Sequence, residues 1–430
     1  MLDFADRSNN HLPMNTSQPL ATDVLIIGGG LVGAAQAVAF ASAGVSVCLV
    51  DLVDPTTALN TEFDGRASAI ALATQRVLAG TGIWKHLGNR PAPILDIRVT
   101  DGPSLLFLHY DHRDIGDAPF GYMVENRHMR QALMGRLAEL DGVTLLAPAH
   151  VAKLDRSSSD VTATLGDGRQ IRAALCIGAE GRRSPTRESA GIKTTSWSYN
   201  QTAIVCSVHH TLSHDFIAHE RFLTAGPFAI LPLNGEGGTA DQPSGNMSSI
   251  VWTETSALAP HLMKLDDRDF KLEFDERFGD FLGPSKIVGP RFSYPLSLQF
   301  AHASTDLRLA LIGDASHGMH PIAGQGLNMG LRDVAVLAEV VTDAKRLGLD
   351  PGAGDVLARY EQWRRFDNTV MLAATDGLNR LFSNNIPPIR LARDLGLAIV
   401  NGIPPLRKTL MRHAMGLAGD LPRLMRGEAL

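Results

Sequence analysis

Between Leu309 and Asp333 the chain reads LALIGDASHGMHPIAGQGLNMGLRD. An apolar run of strand length ends at Gly313-Asp314, and after Pro321 the glycines of Gly324-Gln325-Gly326 open a helix. A carboxylate at a strand end can accept hydrogen bonds from a polyol, and glycines let backbone N–H groups approach a flat ring closely. The helix that follows offers its positive dipole end to negative charge on that ring. These are the needs of a flavin, and the run is expected to hold one. Its plain alternative is an ordinary strand-to-helix turn.

A second segment, DVLIIGGGLVGAAQAVAFASAGVSVCLVD from Asp23 to Asp51, has the pattern strand, turn, helix, strand. Gly28, Gly30 and Gly33 fit G-x-G-x-x-G directly after the first strand. Asp51 ends the second strand about twenty residues on, where a ribose hydroxyl would sit. The pattern does not separate FAD from NAD. A third segment, GAEGRRSPTR from Gly178 to Arg187, follows an apolar run in the middle of the chain.

The remaining elements must position these three. Arg66 to Ala79 and Glu125 to Leu140 read as amphipathic helices over the nucleotide-binding sheet. Asp96 to Tyr122 alternates and is broken by Gly and Pro, so it is expected to form strands of another layer. Gly166-Asp167-Gly168 reads as a hairpin turn leading to Ala174–Ile177. From 203 to 301 antiparallel strands are expected at 205–209, 228–233, 249–253 and 287–294, with a charged helix near 266–278. Asn234 to Met247 reads as a surface loop. The tail from Ile386 carries seven Lys and Arg against three acids, interleaved with apolar residues and broken by paired prolines. It is expected either to pack on the protein's own core or to offer a partner or membrane-surface face.

Composition excludes several classes. The chain has 430 residues and a formal net charge of -5, with no dominant basic stretch, so nucleic acid is not an expected partner. Cys48, Cys176 and Cys206 lie far apart, which argues against a disulfide framework or a cysteine metal site and for a reducing compartment. No uncharged run approaches the ~20 apolar residues of a membrane span. Residues 1–22 read as a flexible tail with no targeting signal, so a cytoplasmic location is expected, with room for peripheral contact at the inner face of the membrane. His209, His210, His214 and His219 cluster without an HExxH spacing, and no metal is expected there. No G-x-S-x-G elbow or P-loop is present.

The order of the three segments resembles that of the FAD-dependent aromatic hydroxylases, the class A flavoprotein monooxygenases. Within that class HPIAGQGLNMGLRD, His320 to Asp333, and the late AMGLAGDLPRLMRG resemble the ubiquinone-biosynthesis hydroxylase family. The resemblance implies an α/β fold: a Rossmann-like, glutathione-reductase-like FAD-binding domain with an inserted, mainly antiparallel β-sheet substrate domain and a C-terminal helical region. The implied division places the FAD-binding domain at 23–95, 123–190 and 302–345, the substrate domain at 96–122 and 191–301, and the helical region at 346–430.

The resemblance also implies roles. Gly28, Gly30 and Gly33 would hold the ADP half of FAD, with Asp51 on the ribose where relatives usually have Glu. Arg66 would reach the flavin or its phosphates, and Asn126 would touch the flavin. Gly313 and Asp314 would bind the ribityl chain. Pro321, Gly324, Gln325, Gly326, Leu327 and Asn328 would line the reactive ring, while Leu231-Pro232 and Tyr294-Pro295 would wall the substrate. Glu180, where the family generally has Asp, Gly181 and Arg187 belong to a pyrophosphate or nicotinamide motif. No residue stands out as a catalytic base, and His317 is expected to be structural.

The implied reaction is hydroxylation of the ring of a polyprenylated phenol or quinone precursor in ubiquinone synthesis. It proceeds through a flavin C4a-hydroperoxide, with NADPH or NADH as reductant and O2 as oxygen donor. A biosynthetic complex and an oligomer are compatible with it. Two alternatives stay open: a flavin hydroxylase of another aromatic compound, and a non-catalytic flavin-binding scaffold.

Overall fold

The computed structural model describes residues 18–55, 59, 65–102, 107–235, 245–319, 324–382, 393, 396 and 399–430. The chain opens with β1 (Leu20–Ile27), α1 (Leu31–Ser42), β2 (Val47–Val50), β3 (Ala67–Ala71) and α2 (Leu72–Gly80). Next come β4 (Ala92–Ile94), β5 (Asp96–Asp101), β6 (Phe107–Asp111), β7 (Gly121–Glu125) and α3 (Asn126–Ala138). Then follow β8 (Val143–Leu146), β9 (Val151–Arg156), β10 (Val161–Leu165), β11 (Gln170–Gly178) and α4 (Pro185–Ser189). The middle holds β12 (Thr194–His210), β13 (Ile217–Leu223), β14 (Gly226–Leu233), β15 (Met247–Thr255), α5 (Ala259–Lys264), α6 (Asp267–Phe278) and β16 (Ser285–Ala301). Last are β17 (Thr305–Asp306), β18 (Leu309–Leu311), β19 (His317–Gly318), α7 (Gln325–Arg346), α8 (Gly354–Phe382), α9 (Pro404–Ala414) and α10 (Arg423–Arg426).

The first sheet has the path β17-β18-β11-β1-β2-β8, with β9 and β10 branching from β11. Strands β18, β11, β1, β2 and β8 run parallel. Their apolar runs are continuous because both faces are covered. Val24 and Ile26 face α1, α3 and α7 through Phe40, Leu133 and Val334. Leu25 and Ile27 face the β9–β10 side with Cys48, Cys176 and Leu309. Gly28, Asp51, Gly178 and Gly313 thereby converge at the carboxyl ends of the strands, where a parallel sheet binds its ligands.

The second sheet runs β19-β16-β12-β15-β14-β13-β5-β6 and is antiparallel except where β13 meets β5. Strand alternation gives it two faces. Ile204, Cys206, Phe228, Ile230 and Trp252 pack on Phe270, Phe274 and Phe278 of α6, each such ring stabilising the fold by about 1.5–3 kcal/mol. Asp266 starts α6 by accepting from the Asp269 N–H at 2.8 Å. The opposite face, with Ala218, Phe222, Ala229 and Leu231, looks into a cavity. A small third sheet, β3-β7-β4, stands between the other two.

Three expectations need correction. Arg66–Ala79 is not one helix, because Ala67–Ala71 pairs antiparallel with β7 before α2 begins. Backbone pairing overrides a pattern that small apolar residues satisfy in either conformation. The first strand begins at Leu20, whose register partner is Ile171, so 20–22 are not tail; residues 1–17 lie outside the described residues. No strand was expected at Ile217–Leu223, yet it pairs with both β14 and β5, so His219 lies in a strand. The loop expected at 234–247 holds at its described ends, 234–235 and 245–246, with β15 beginning at Met247; residues 236–244 lie outside the described residues.

The described part of the tail packs largely on the protein itself. Leu424 and Met425 bury against Ala73, Val77 and Ala335. Met411 and Met415 bury with Leu72, Phe120 and Phe382. Ile399, Ile403, Leu406 and Leu410 nevertheless remain exposed.

Candidate active site

The glycine turn after β1 is set by close approach. Gly28 has φ +104°, and a Cβ there would lie 2.6 Å from the Ala179 oxygen. A Cβ on Gly33 would lie 1.9 Å from the Gly28 oxygen, so α1 can begin against the turn only with hydrogen at that position. Around Gly30 the situation reverses, for a Cβ there would meet no atom within 4 Å. The turn is closed toward the protein and open outward, at the positive end of α1, as a pyrophosphate requires.

Asp51 follows β2 directly, and its carboxylate accepts from the Gly29 N–H and, at 2.7 Å, from the Val53 N–H. It therefore holds the glycine turn with the group expected to meet a ribose.

Glu180 is engaged by its own loop. It accepts from the Ser184 hydroxyl at 2.5 Å, the Thr186 hydroxyl at 2.6 Å and the Thr186 N–H at 3.2 Å, while Ser184 caps α4. Gly181, φ +80°, lets the loop turn. Arg187 is buried and donates to the carbonyls of Ala315 at 3.0 Å and Arg182 at 2.8 Å, tying the central motif to the Gly313-Asp314 segment.

Arg182 makes the corresponding link on the cavity side. It donates to Asp314 at 3.2 Å, to the carbonyls of Ser297 and Met319, and to the Ser297 hydroxyl. Asp314 is about half exposed and lines the cavity with Arg182. Gly313, φ +58°, donates its N–H to Asp333 Oδ2 at 2.9 Å.

Gly324 takes the left-handed conformation, φ +63°, and a Cβ on it would lie 2.9 Å from Ala69 Cβ. Asn328 copies a peptide against β3: its Oδ1 accepts from Ala71 N–H at 2.9 Å and its Nδ2 donates to Ala69 O at 2.8 Å. This bond pair fixes the start of α7 over the cavity. A Cβ on Gly326 would meet nothing within 4 Å, so the backbone is open there. Asn126 also lines the cavity and accepts from the Ser68 hydroxyl at 2.7 Å.

The cavity has a volume of about 960 Å³, within the range of small-molecule sites. Leu31, Val32, Asn126, Asp314 and 324–328 line one end, and the apolar face of the second sheet lines the other. The fit for a flavin is good. An open turn for the pyrophosphate, a carboxylate for the polyol and an uncovered helix start for the ring follow one another along one edge.

Not every expected residue converges. Arg66 is exposed, with its guanidinium 5.6 Å from the Tyr294 ring, and does not line the cavity. Tyr294 packs with Ala203 and Val205 on the same sheet. Pro321 lies outside the described residues. His317 is buried with Nε2 2.6 Å from Asp333, a structural setting. His210 binds Leu212 O and Ser248, and His214 binds Leu233 O, so both rings are held by the fold.

Sequence inspection passed over two residues. Arg182 follows Gly181 as one of several arginines, with no signal to single it out. Glu220 lies in the missed strand β13, where an acid falls on the apolar face between Ala218 and Phe222; that break in alternation was readable.

Residues 21–365 match the family described as FAD binding domain. The chain is 55% identical to ubiquinone hydroxylase UbiL of Rhodospirillum rubrum, over 97% of this chain and 96% of that protein. It is 33% identical to the 3-demethoxyubiquinol 3-hydroxylase of Escherichia coli, over 94% of this chain and 100% of that protein. Among solved structures it resembles p-nitrophenol 4-monooxygenase PnpA of Pseudomonas putida, with a TM-score of 0.76 at 18% identity, covering 94% of this chain and 100% of that one.

Proposed function

The chain belongs to the FAD-dependent hydroxylases of ubiquinone biosynthesis, and from that premise we propose that it hydroxylates the aromatic ring of a polyprenylated phenol with NADPH or NADH as electron donor and O2 as oxygen source. The observation that carries this reading is the shared cavity, in which the open start of α7 faces an apolar sheet wide enough for a prenylated ring. When bound, FAD supplies the oxygen-activating chemistry that side chains lack.

The protein's own residues bind, orient and exclude water. The turn at Gly28, Gly30 and Gly33 receives the pyrophosphate, and Asp51 shares its carboxylate with a ribose hydroxyl. Asp314, steadied by Arg182, takes the polyol chain. The backbone of Gly324, Gln325, Gly326 and Leu327, at the positive end of α7, stabilises negative charge on the ring, and Gly313 and Asn328 fix that backbone. Glu180, Gly181 and Arg187 keep the central loop against the Gly313-Asp314 segment. Leu231, Ala229, Val99 and Leu108 keep water from the reacting atoms. The division into cofactor segments 23–95, 123–190 and 302–345 and substrate segments 96–122 and 191–301 follows from the same roles.

Among the described residues no helix is long and apolar enough to cross a membrane. The exposed Ile399, Ile403, Leu406 and Leu410 stand beside Arg407, Lys408 and Arg412, and Val400, Leu410 and Ala414 also line the cavity. This face is suited to peripheral docking, with a prenyl tail passing from bilayer to cavity.

The purified protein should be yellow, and NADPH or NADH should bleach it anaerobically. In a deletion strain, mass spectrometry should find a quinone intermediate lacking one ring oxygen, restored by the gene. A colourless protein that takes up no FAD, or an unchanged quinone profile, would sink the proposal.

A further inference from the structure

Glu220 occupies the middle of the cavity floor. Its neighbours along β13 are Ala218 and Phe222, and its register partners are Val99 on β5 and Ala229 on β14. All five residues line the cavity. The carboxyl has no hydrogen-bond or ion-pair partner among the described residues.

The charged groups around it are engaged elsewhere. On β5, Asp101 is held by Arg393, and across the cavity Asp314 is held by Arg182. Tyr110 of β6 lines the cavity with its phenol pushed up to about 12 by burial, and β14 carries no titratable residue. His219 borders the cavity, but its ring lies against Phe281 and burial lowers its pKa to about 4, so it stays neutral; Arg221 belongs to the other face and donates to the carbonyls of Arg277 and Phe278. Burial with no compensating cation pushes the Glu220 carboxyl up to about 7.

An unpaired carboxyl on an apolar floor is costly for folding, so it calls for a partner that arrives with the substrate. We propose that Glu220 is the catalytic residue that accepts the hydrogen bond of the substrate's ring hydroxyl and takes its proton as the ring is hydroxylated. This rests on the phenol-hydroxylase reading above. The phenolic O–H bond breaks, the ring oxygen keeps the electron pair, and an O–H bond forms at the carboxylate. The ring carbon becomes more nucleophilic as this happens. The proton returns to the ring oxygen or to water once the product leaves. A base titrating near working pH is the efficient choice for such a transfer.

Two measurements on the full-length FAD-loaded protein decide the matter. In the first, Glu220→Gln should still bind FAD but lose about 100-fold or more in kcat/KM for ring hydroxylation. The wild-type rate should rise with pH through about 7, and that limb should vanish in Glu220→Gln and persist, shifted, in Glu220→Asp. A wild-type rate and pH profile in Glu220→Gln would overturn the proposal. The second needs no turnover: equilibrium dialysis of a short-chain 2-prenylphenol against its methyl ether. Wild type should prefer the phenol about tenfold or more, and Glu220→Leu should lose the preference. A preference retained by Glu220→Leu would overturn the assignment. A wild-type protein that fails to hydroxylate but shows the Glu220-dependent preference would overturn the reaction alone.

Discussion

His317 Nε2 lies 2.6 Å from Asp333 Oδ2, and the same oxygen accepts the Gly313 N–H while Oδ1 accepts from Arg364 at 2.7 Å. One fully buried carboxylate thus joins the strand end that carries Asp314, the loop after it, α7 and α8. Burial by itself would raise its pKa, but His317 and Arg364 outweigh burial and hold it below the ordinary Asp value. A depressed carboxyl pKa adds stability above its unfolded value, and that stability is lost as pH falls through the folded one.

Asp333→Asn is therefore expected to destabilise the protein by about 3–5 kcal/mol, the cost of breaking a buried pair by removing one partner. Urea unfolding at neutral pH checks the size. Below the ordinary carboxylate range the variant's deficit should shrink, since wild type loses the same interaction to protonation; a deficit that stays constant with pH would contradict the role.

The two kinds of glycine in the first turn should separate in experiment. Gly33→Ala forces a Cβ onto the Gly28 oxygen, so both apoprotein stability and FAD binding should fall. Gly30→Ala meets open space, so it should leave the apoprotein melting temperature nearly unchanged while weakening FAD at least several-fold. Melting curves and flavin titrations distinguish the two, and equal behaviour would remove the pyrophosphate from that side of the turn.

Glu180→Ala strips three hydrogen bonds from the central loop. A loss of about 1–3 kcal/mol is expected, with slower recovery of the holoenzyme after flavin removal. Glu180→Asp, one methylene shorter, should retain part of the network and lie between the two. Unfolding midpoints measured in parallel give the order.

The three cysteines are buried, and burial pushes the Cys48 and Cys206 thiols up to about 12 and Cys176 higher still. Thiolate is the reactive form. Native protein is expected to release almost no chromophore with a disulfide reagent at pH 8, and three equivalents after unfolding. Fast labelling of the native chain would show that one of these cores opens.

Local chemistry was legible in the chain itself. Gly28 and Gly33 announce their turn because close backbone approach at a strand end admits only glycine, and Gly324 does so through its left-handed conformation against Ala69. Short apolar runs revealed β14 and β15, whereas β13 went unread because Glu220 interrupts its apolar face. The sequence could not decide whether Arg66 meets the cofactor segments or lies over Tyr294, because reach depends on where two sheets stand. It also left Ala67–Ala71 open between helix and strand, since only the arrival of β7 supplies the backbone partners. Arg182, Asp333 and Glu220 acquired meaning through neighbours 115, 31 and 121 residues away in Ser297, Arg364 and Val99. Local residue type fixes backbone shape, but which side chain faces a common cavity is settled by long-range packing, and that is where the floor carboxyl Glu220 became visible.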